Sequence, residues 1–196
     1  MKLAEGQLRA SDWIVRETSH AEASAFVRQY HYSRSCTISR VFCFGLYAGA
    51  ILEPIMGASV WLPPLPPAAL KTYPEGDPKR VLSLSRLAIH PEMPVNAASF
   101  MIGRNIREIR KDGRWDCLVT FADSRQGHTG AIYRATNWEY LGETAPTECW
   151  VDPETGRQVS RKNGSHRKCR THGEMGELGY ELAGYFPKHK YRMKLR

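Results

Sequence analysis

The chain has 196 residues, of which 42% are hydrophobic and 24% charged, and a formal net charge of +8 at pH 7. This composition is typical of a folded soluble domain and excludes a fibrous or disordered chain. No apolar run approaches the roughly 20 residues that span a bilayer, and the first residues lack the apolar region of a signal peptide. The five cysteines show no framework spacing, which fits free thiols. We therefore expect a cytoplasmic protein that makes no membrane contact.

The excess of positive charge lies towards the carboxyl-terminal end. Residues 1–156 carry equal numbers of basic and acidic side chains, whereas residues 157–196 carry 11 basic and 3 acidic ones. A basic segment interleaved with aromatic residues suits nucleic acid, although solvated basic ends are also common. We expect one domain over 1–156 and a basic extension over 157–196, packed on or beside it, that contacts nucleic acid. The candidate contacts are Arg161, Lys162, Arg167, Lys168, Arg170, Lys188, Lys190 and Arg192.

The first predicted element is an amphipathic helix in "SHAEASAFVRQY". Ser19 and Glu22 form a capping box, and apolar residues then recur at helical spacing up to Tyr30. The apolar, β-rich stretch 39–61 predicts two antiparallel strands joined by a hairpin turn. The Pro-rich "PPLPPAAL" and "YPEGDPK" that follow predict an irregular surface loop.

A strand, a helix and a second strand come next. "RVLSLSRLAIHPE" alternates apolar and polar residues like a half-buried strand. A helix is predicted from the N-cap Asn96 to the stop at Gly113. "CLVTFAD" reads as a strand buried on both faces, and "TGAIYRATNWEYLG" as a short helix followed by a strand. This order predicts an α/β fold with a mixed, mostly antiparallel central sheet flanked by helices.

The start of the second helix is a candidate site for a phosphate group. Small residues there let an anion approach free backbone amides and the positive end of the helix, and a hydroxyl can donate to it. Many helices begin in this way without binding anything. The residues concerned are Asn96, Ala97, Ala98 and Ser99.

The far side of the same helix carries a basic stripe. Arg104, Arg107, Lys111 and Arg114 are spaced i, i+3, i+7 and i+10. Such a stripe is usually a solvated face, and contact with nucleic acid is the alternative.

Polar, titratable groups are concentrated in "YHYSR", directly after the first helix. His31 can act as a general base near neutral pH, and Tyr32 can donate a proton or a hydrogen bond. Ser33 and Arg34 could hold an anionic part of the substrate. A connector without catalytic function remains the alternative.

A second group of candidates follows the buried strand. Asp123 lies at its carboxyl end, where α/β folds place functional groups, and Ser124 is a candidate substrate contact. Tyr133 falls in the first turns of the next helix. Asp123 could instead cap the following turn, and Tyr133 could be an ordinary core residue.

The order of elements resembles the GCN5-related acyltransferase (GNAT) superfamily, although "PVNAASF" replaces the usual glycine-containing signature for acyl-coenzyme A. More narrowly, "HYSRS" (31–35), "LSRLAIHPEMPVNAAS" (84–99) and "FADSRQGHTGAIYRATNWEYLG" (121–142) resemble the Mom family. The resemblance covers about residues 15–145. Members are phage proteins that attach a carbamoylmethyl-type group to N6 of adenine in DNA and so block restriction enzymes in the bacterial host.

The resemblance implies roles for matching residues. His31, Tyr32, Asp123 and Tyr133 would be catalytic residues, and Ser99 would lie at the pyrophosphate of the donor. Acetyl-coenzyme A or a related acyl donor, a bound iron and double-stranded DNA would be the associated molecules. The sequence leaves the oligomeric state open, with a homodimer among the alternatives.

Adenine N6 is a poor nucleophile because its lone pair is delocalised into the ring, so its proton must be removed as the new bond forms. We expect His31 or Asp123 to accept that proton, and Tyr32 and Tyr133 to hydrogen-bond the developing charge. The target base must leave the stack first, at a cost of a few kcal/mol.

Two other functions fit the same residues. One is a GNAT-type N-acyltransferase acting on a small amine or a protein, and the other is a nucleic-acid-binding protein without catalytic activity. A weaker alternative is a zinc site formed by His166, Cys169 and His172, with Cys149 as a fourth ligand, although single cysteines are unusual for structural zinc.

Overall fold

The computed structural model describes residues 8–49, 54–161 and 170–196. These residues form two compact units. The first unit contains the described residues of Met1–Phe121, together with Gly130–Gly142 and Lys190–Arg196. The second contains the described residues of Ala122–Thr129 and Glu143–His189.

The larger sheet has seven strands, and most of their residues belong to the first unit. Its order is β1-β2-β3-β4-β5-β10-β6. Successive pairs from β1 to β4 are antiparallel, and β4 and β5 are parallel. This confirms the predicted mixed, mostly antiparallel sheet. The strands are β1 (Trp13–Glu17), β2 (Phe42–Ala48), β3 (Ile55–Leu62), β4 (Val81–Ile89), β5 (Cys117–Asp123), β6 (Glu139–Glu143) and β10 (Lys188–Lys194).

Four helices belong to the first unit, namely α1 (His20–Tyr30), α2 (Pro66–Thr72), α3 (Ala97–Asp112) and α4 (Ala131–Arg134). The hydroxyl oxygen of Ser19 accepts a hydrogen bond from the amide of Glu22, so the predicted start of α1 is confirmed. Phe26 and Val27 of α1 pack into one buried cluster with Val60 of β3. No helix in the described part of the chain is long and apolar enough to cross a membrane.

Helix α3 buries one apolar face. Ala97, Met101, Ile102, Ile106 and Ile109 are buried, whereas Ala98 is only partly buried. Gly113 ends the helix with φ of +73°, in the left-handed region that glycine adopts without strain.

The prediction of an irregular Pro-rich loop was wrong. Pro66 and Pro67 begin helix α2, and Pro78 begins a short 3₁₀ turn that ends at Arg80. Proline is tolerated at these first positions because the amide that it lacks would have no partner inside the helix. Strand β1 was not predicted, because it is an edge strand that leaves most of its side chains exposed.

The second unit contains a three-stranded sheet of order β8-β7-β9. Its strands are β7 (Thr147–Val151), β8 (Gln158–Val159) and β9 (Glu181–Phe186), and its helix is α5 (His172–Glu177). Residues 157–196 therefore include regular elements of both sheets, and β10 lies between β5 and β6 in the larger one. The boundaries of the units thus differ from the predicted boundary at residue 156.

Candidate active site

Strands β4 and β5 pair over a short distance and then diverge. Residues 81–83 of β4 pair with residues 117–119 of β5. Beyond them, from Leu84 and Thr120 onward, the described residues of the two strands show no further pairing with each other. The hydroxyl of Thr120 donates to the carbonyl oxygen of Leu84 at 3.3 Å, at the start of this divergence. A split between parallel strands leaves backbone groups of both strands available to a ligand.

The phenol of Tyr133 is held at this split. Tyr133, in α4, is 7% exposed, and a hydrogen bond joins its side chain to that of Thr120. Burial raises the pKa of Tyr133, and the nearby Tyr191 raises it further, while the hydrogen bond with Thr120 opposes them. The phenol therefore keeps its proton at neutral pH and can act as a hydrogen-bond donor.

Tyr191 of β10 supports this arrangement, whereas the sequence placed it among the aromatic residues that interleave with the basic ones and could pack on nucleic acid. Its side chain is fully buried, and its ring centroid lies 5.3 Å from that of Tyr133. Arg134 donates from Nη1 to the hydroxyl of Tyr191 at 2.7 Å. Gly130, before α4, faces the same ring so closely that an added Cβ would lie 2.3 Å from Cε2. The burial of Tyr191 could not be predicted from the sequence, because its neighbours in the strand are mostly basic.

The "YHYSR" stretch forms a tight turn at the end of α1. The His31 amide donates to the carbonyl of Val27 at 2.9 Å and ends the helix, and the Arg34 amide donates to the carbonyl of His31 at 2.9 Å. Arg34 has φ of +44°, which is uncommon for a residue with a side chain. Tyr32 is 38% exposed, and its ring centroid lies 4.2 Å from that of His31.

The turn also determines the tautomer of His31. The amide of Ser33 donates to Nδ1 of His31 at 3.1 Å, and the Ser33 hydroxyl lies 2.8 Å from the same nitrogen. Because a backbone amide is always a donor, Nδ1 must be the accepting nitrogen. Neutral His31 therefore carries its proton on Nε2, which favours it as a hydrogen-bond donor rather than a proton acceptor.

Hydrogen bonds connect the turn and the following loop to other elements of the first unit. Arg86 of β4 donates from Nε to the carbonyl of Ser35 at 2.8 Å. His20 of α1 lies with Nε2 2.7 Å from the carbonyl of Thr37. The position of the His31 turn relative to β4 is thus fixed by a charge-assisted bond.

The start of α3 retains available amides. Within the described residues, the amides of Ala98 and Ser99 have no acceptor, whereas those of Ala97 and Phe100 donate to the carbonyls of Pro94 and Asn96. The Asn96 side chain does not cap the helix; it accepts from the amide of Leu8 at 2.8 Å. The Ser99 hydroxyl donates to the carbonyl of Asn96 at 3.0 Å. Two backbone donors remain for an anion at this end.

Asp123 and Ser124 belong to the second unit. Asp123 is buried, and its Oδ1 accepts from the Arg125 amide at 3.1 Å, so it caps the following turn as the alternative interpretation proposed. The Ser124 hydroxyl donates to the carbonyl of Pro187 at 2.6 Å. Since His31 and Asp123 lie in different units, their meeting in one cleft stays a prediction.

Several candidate nucleic-acid contacts make ion pairs within their own unit. Arg161 pairs with Glu148, and Arg192 donates from Nε to Glu139 at 2.6 Å. Lys162, Arg167 and Lys168 lie outside the described residues. Lys188 and Lys190 make no ion pair with an acidic side chain among the described residues.

The described residues contain no group of three or more His, Cys, Asp or Glu side chains that could hold a metal ion. They therefore give the expected iron no support. In the zinc alternative, His166 and Cys169 lie outside the described residues, and His172 is paired with Glu148. Burial raises the pKa of the Cys149 thiol, which disfavours the thiolate that zinc requires.

Comparison with solved structures identifies the fold. An acetyltransferase of the GNAT family from Streptococcus pneumoniae superposes with a TM-score of 0.55 at 8% identity, over 93% of this chain and 99% of that one. A Bacillus subtilis acetyltransferase in complex with CoA gives a TM-score of 0.51 at 11% identity, over 94% and 99%. At these identities the likeness shows the fold alone, which is the predicted GNAT-like fold.

Sequence comparison identifies the family. The chain is 26% identical to the methylcarbamoylase mom of Escherichia phage Mu over 142 residues, which are 70% of this chain and 57% of the relative. The match thus spans little more than half of that relative. A model of the Mom protein family matches residues 12–193. The chain therefore belongs to the Mom protein family.

Proposed function

We propose that this chain transfers a carbamoylmethyl or acyl-derived group to N6 of adenine in double-stranded DNA, and that the modification protects phage DNA from restriction. Membership of the Mom family supports the substrate, and the relative from phage Mu is named a methylcarbamoylase. The observation that carries the proposal is the divergence of β4 and β5, with a protonated phenol held where the strands part.

The start of α3 is the proposed site for the phosphates of an acyl-coenzyme A donor. The amides of Ala98 and Ser99 remain available there, and the helix dipole favours an anion. The fold is shared with an acetyltransferase that was solved in complex with CoA. When bound, such a donor supplies the electrophilic carbon; the proposal assigns no residue to iron.

The reaction requires one residue that accepts a proton and others that donate hydrogen bonds. In the reaction N6 forms a bond to a carbon of the donor, the bond from that carbon to its leaving group breaks, and the N6 proton must be accepted. We assign the acceptor role to Asp123, because Nε2 of neutral His31 already carries a proton. Tyr133, His31 and Tyr32 are proposed to donate hydrogen bonds to the charge that develops on the electrophile and leaving group.

The target adenine is paired inside the duplex and must be extruded, at a cost of a few kcal/mol. Contacts with the phosphate backbone offset this cost. Arg170, Lys188 and Lys190 are proposed to make such contacts, together with Lys162, Arg167 and Lys168. Ser33, Arg34 and Ser124 remain proposed substrate contacts.

Mass spectrometry of nucleosides from DNA co-expressed with the protein tests the proposal. The wild type should produce an adenosine species heavier by one transferred group, whose mass identifies that group. Asp123→Asn and Tyr32→Phe should reduce the yield strongly, while the exposed Tyr140 serves as the matched control through Tyr140→Phe. Unmodified adenosine with folded wild-type protein would contradict the proposal, and acylation of a small amine in the same preparation would favour the alternative transferase.

A further inference from the structure

The basic face of α3 contains fewer uncompensated cations than its sequence indicates. Lys111 donates from Nζ to Glu108 at 2.8 Å, so its charge is compensated within the helix. Arg114, just after the helix, pairs through Nε with Asp112 at 2.6 Å. Arg104 and Arg107 of the predicted stripe remain, and Arg110 follows one helical turn later. None of these three arginines has an acidic partner among the described residues. We call these three residues the arginine row.

Some of the other basic side chains around the larger sheet are neutralised by ion pairs. Arg80 pairs with Asp116 at 2.5 Å, and Lys194 pairs with Glu75 at 2.6 Å. Arg192 pairs with Glu139. Arg192 and Lys194 of the carboxyl-terminal strand thus use their charges inside the protein, whereas the arginine row makes no such ion pair among the described residues.

The spacing of the arginine row is unfavourable for the isolated helix. Like charges at i and i+3 lie side by side on the helix surface and repel each other. Arg110 lies in the last turn, where the helix dipole stabilises a cation. Arg104 and Arg107 lie too far from that end for the dipole to act on them. An external anion would provide the missing compensation.

We propose that the arginine row binds the phosphate backbone of duplex DNA during modification. From Arg104 to Arg110 the helix rises about 9 Å, which matches two to three nucleotides at roughly 3.4 Å each along one strand. Arg107 and Arg110 are exposed, and the guanidinium carbon of Arg104 lies 5.3 Å from the ring centroid of Phe100. Stacking on the ring leaves the N–H groups of Arg104 at its edge, where they can donate to phosphate oxygens.

This inference rests on the proposed function for the identity of the nucleic acid. The same phosphate chemistry could serve the donor instead, because α3 begins at the proposed donor site. The two sources of phosphate are separable, since DNA binding depends steeply on salt and CoA binding can be measured without DNA.

The test compares Arg104→Gln/Arg107→Gln with the matched control Lys71→Gln/Lys79→Gln. The control removes two exposed cations from α2 and the 3₁₀ turn, so the change in net charge is identical. Binding to an adenine-containing duplex is measured over a range of salt concentrations. Each lost phosphate contact lowers the slope of log Kobs against log salt by about 0.9, so the arginine variant should lose about 2 units of slope and the control none.

The outcomes separate this inference from the proposed function. If the wild type binds and modifies DNA and the arginine variant keeps the wild-type slope, the inference about the arginine row is overturned and the proposed function is not. Weaker binding of CoA with an unchanged DNA slope would assign the row to the donor and overturn the inference as well. A wild type that binds no duplex at all would overturn both proposals. Circular dichroism of both double variants checks that each remains folded.

Discussion

The side chains of Tyr133 and Thr120 are hydrogen-bonded to each other at the point where β4 and β5 stop pairing. Thr120 in turn donates to the carbonyl of Leu84 on the opposite strand. The phenol is therefore linked to both strands of the split through one hydroxyl group. Because the only proton of Thr120 is donated to Leu84, the phenol of Tyr133 donates to Thr120 in this structure. The arrangement fixes the position of the phenol before substrate binds, and the phenol must turn its proton from Thr120 to the substrate to stabilise a transition state.

Removing this hydroxyl should slow modification with little effect on folding. Tyr133→Phe keeps the aromatic packing against Trp138 and Tyr191, and loses one buried hydrogen bond worth about 1 kcal/mol. We expect the single-turnover rate to fall about 100-fold. An unchanged rate would make Tyr133 an ordinary core residue.

The raised pKa of Tyr133 leads to a prediction about how activity depends on pH. Burial raises its pKa above the usual value of tyrosine, so its proton is retained throughout the range in which the protein is assayed. If activity declines between about pH 8 and 10, the decline should persist with the same midpoint in Tyr133→Phe. A decline that disappears in this variant would show that Tyr133 titrates in that range.

The tautomer of His31 can be observed directly. Nitrogen chemical shifts of labelled histidine at neutral pH should show an unprotonated Nδ1 and a protonated Nε2, because the Ser33 amide donates to Nδ1. Ser33→Ala retains that amide and should keep the tautomer. Ser33→Pro removes the donor, so that neutral His31 is no longer restricted to the tautomer with its proton on Nε2. A protonated Nδ1 in the wild type would restore His31 as a candidate proton acceptor.

Sequence alone predicted the elements whose burial follows a regular period. Strands β4 and β5 and helices α1 and α3 were predicted because their apolar residues alternate, form a continuous run or recur at helical spacing. Strand β10 was missed because most of its residues are basic, although Arg192 and Lys194 form ion pairs, and because Tyr191 alone among its residues is buried. Charge counted along a sequence cannot show which cations have partners.

The candidate site was predicted in part. The polar character of the His31 turn was visible, but the hydrogen bond from the Ser33 amide that fixes its tautomer depends on the geometry of the backbone, which the sequence does not specify. Thr120 could have been found, because it is the polar residue in the middle of the buried stretch "CLVTFAD". The ion pairs of Arg161 and Arg192 could not, since their partners are distant in sequence.

Arg192 should contribute to stability in a pH-dependent way. Its hydrogen bond lowers the pKa of Glu139, so the bonded carboxylate stabilises the folded state at neutral pH. This stabilisation is lost as the pH falls through the depressed pKa of Glu139. Arg192→Gln should therefore lower the Tm at pH 7, and the difference from wild type should narrow in acid. Lys190→Gln is the control on the same strand, and equal losses at both pH values would contradict an ionic origin.

Substituting alanine at Gly130 and at Gly142 distinguishes the cost of backbone strain from the cost of steric contact. Both have positive φ, +72° and +84°, so alanine at either position adopts an unfavourable conformation that costs about 1–2 kcal/mol. At Gly142 an added Cβ meets no atom within 4 Å, whereas at Gly130 it would lie 2.3 Å from the ring of Tyr191. That ring is fully buried and cannot move aside without displacing Tyr133.

Gly142→Ala should therefore show the conformational cost alone, and Gly130→Ala should cost about 1–3 kcal/mol more because of overpacking. The free energy of unfolding in urea measures both. In Tyr191→Ala the added Cβ at position 130 has space, so the cost of Gly130→Ala should fall to that of Gly142→Ala in this background. Equal costs for the two glycine variants in the wild-type background would mean that Tyr191 does not pack against α4 as described, and would remove its support for the position of Tyr133.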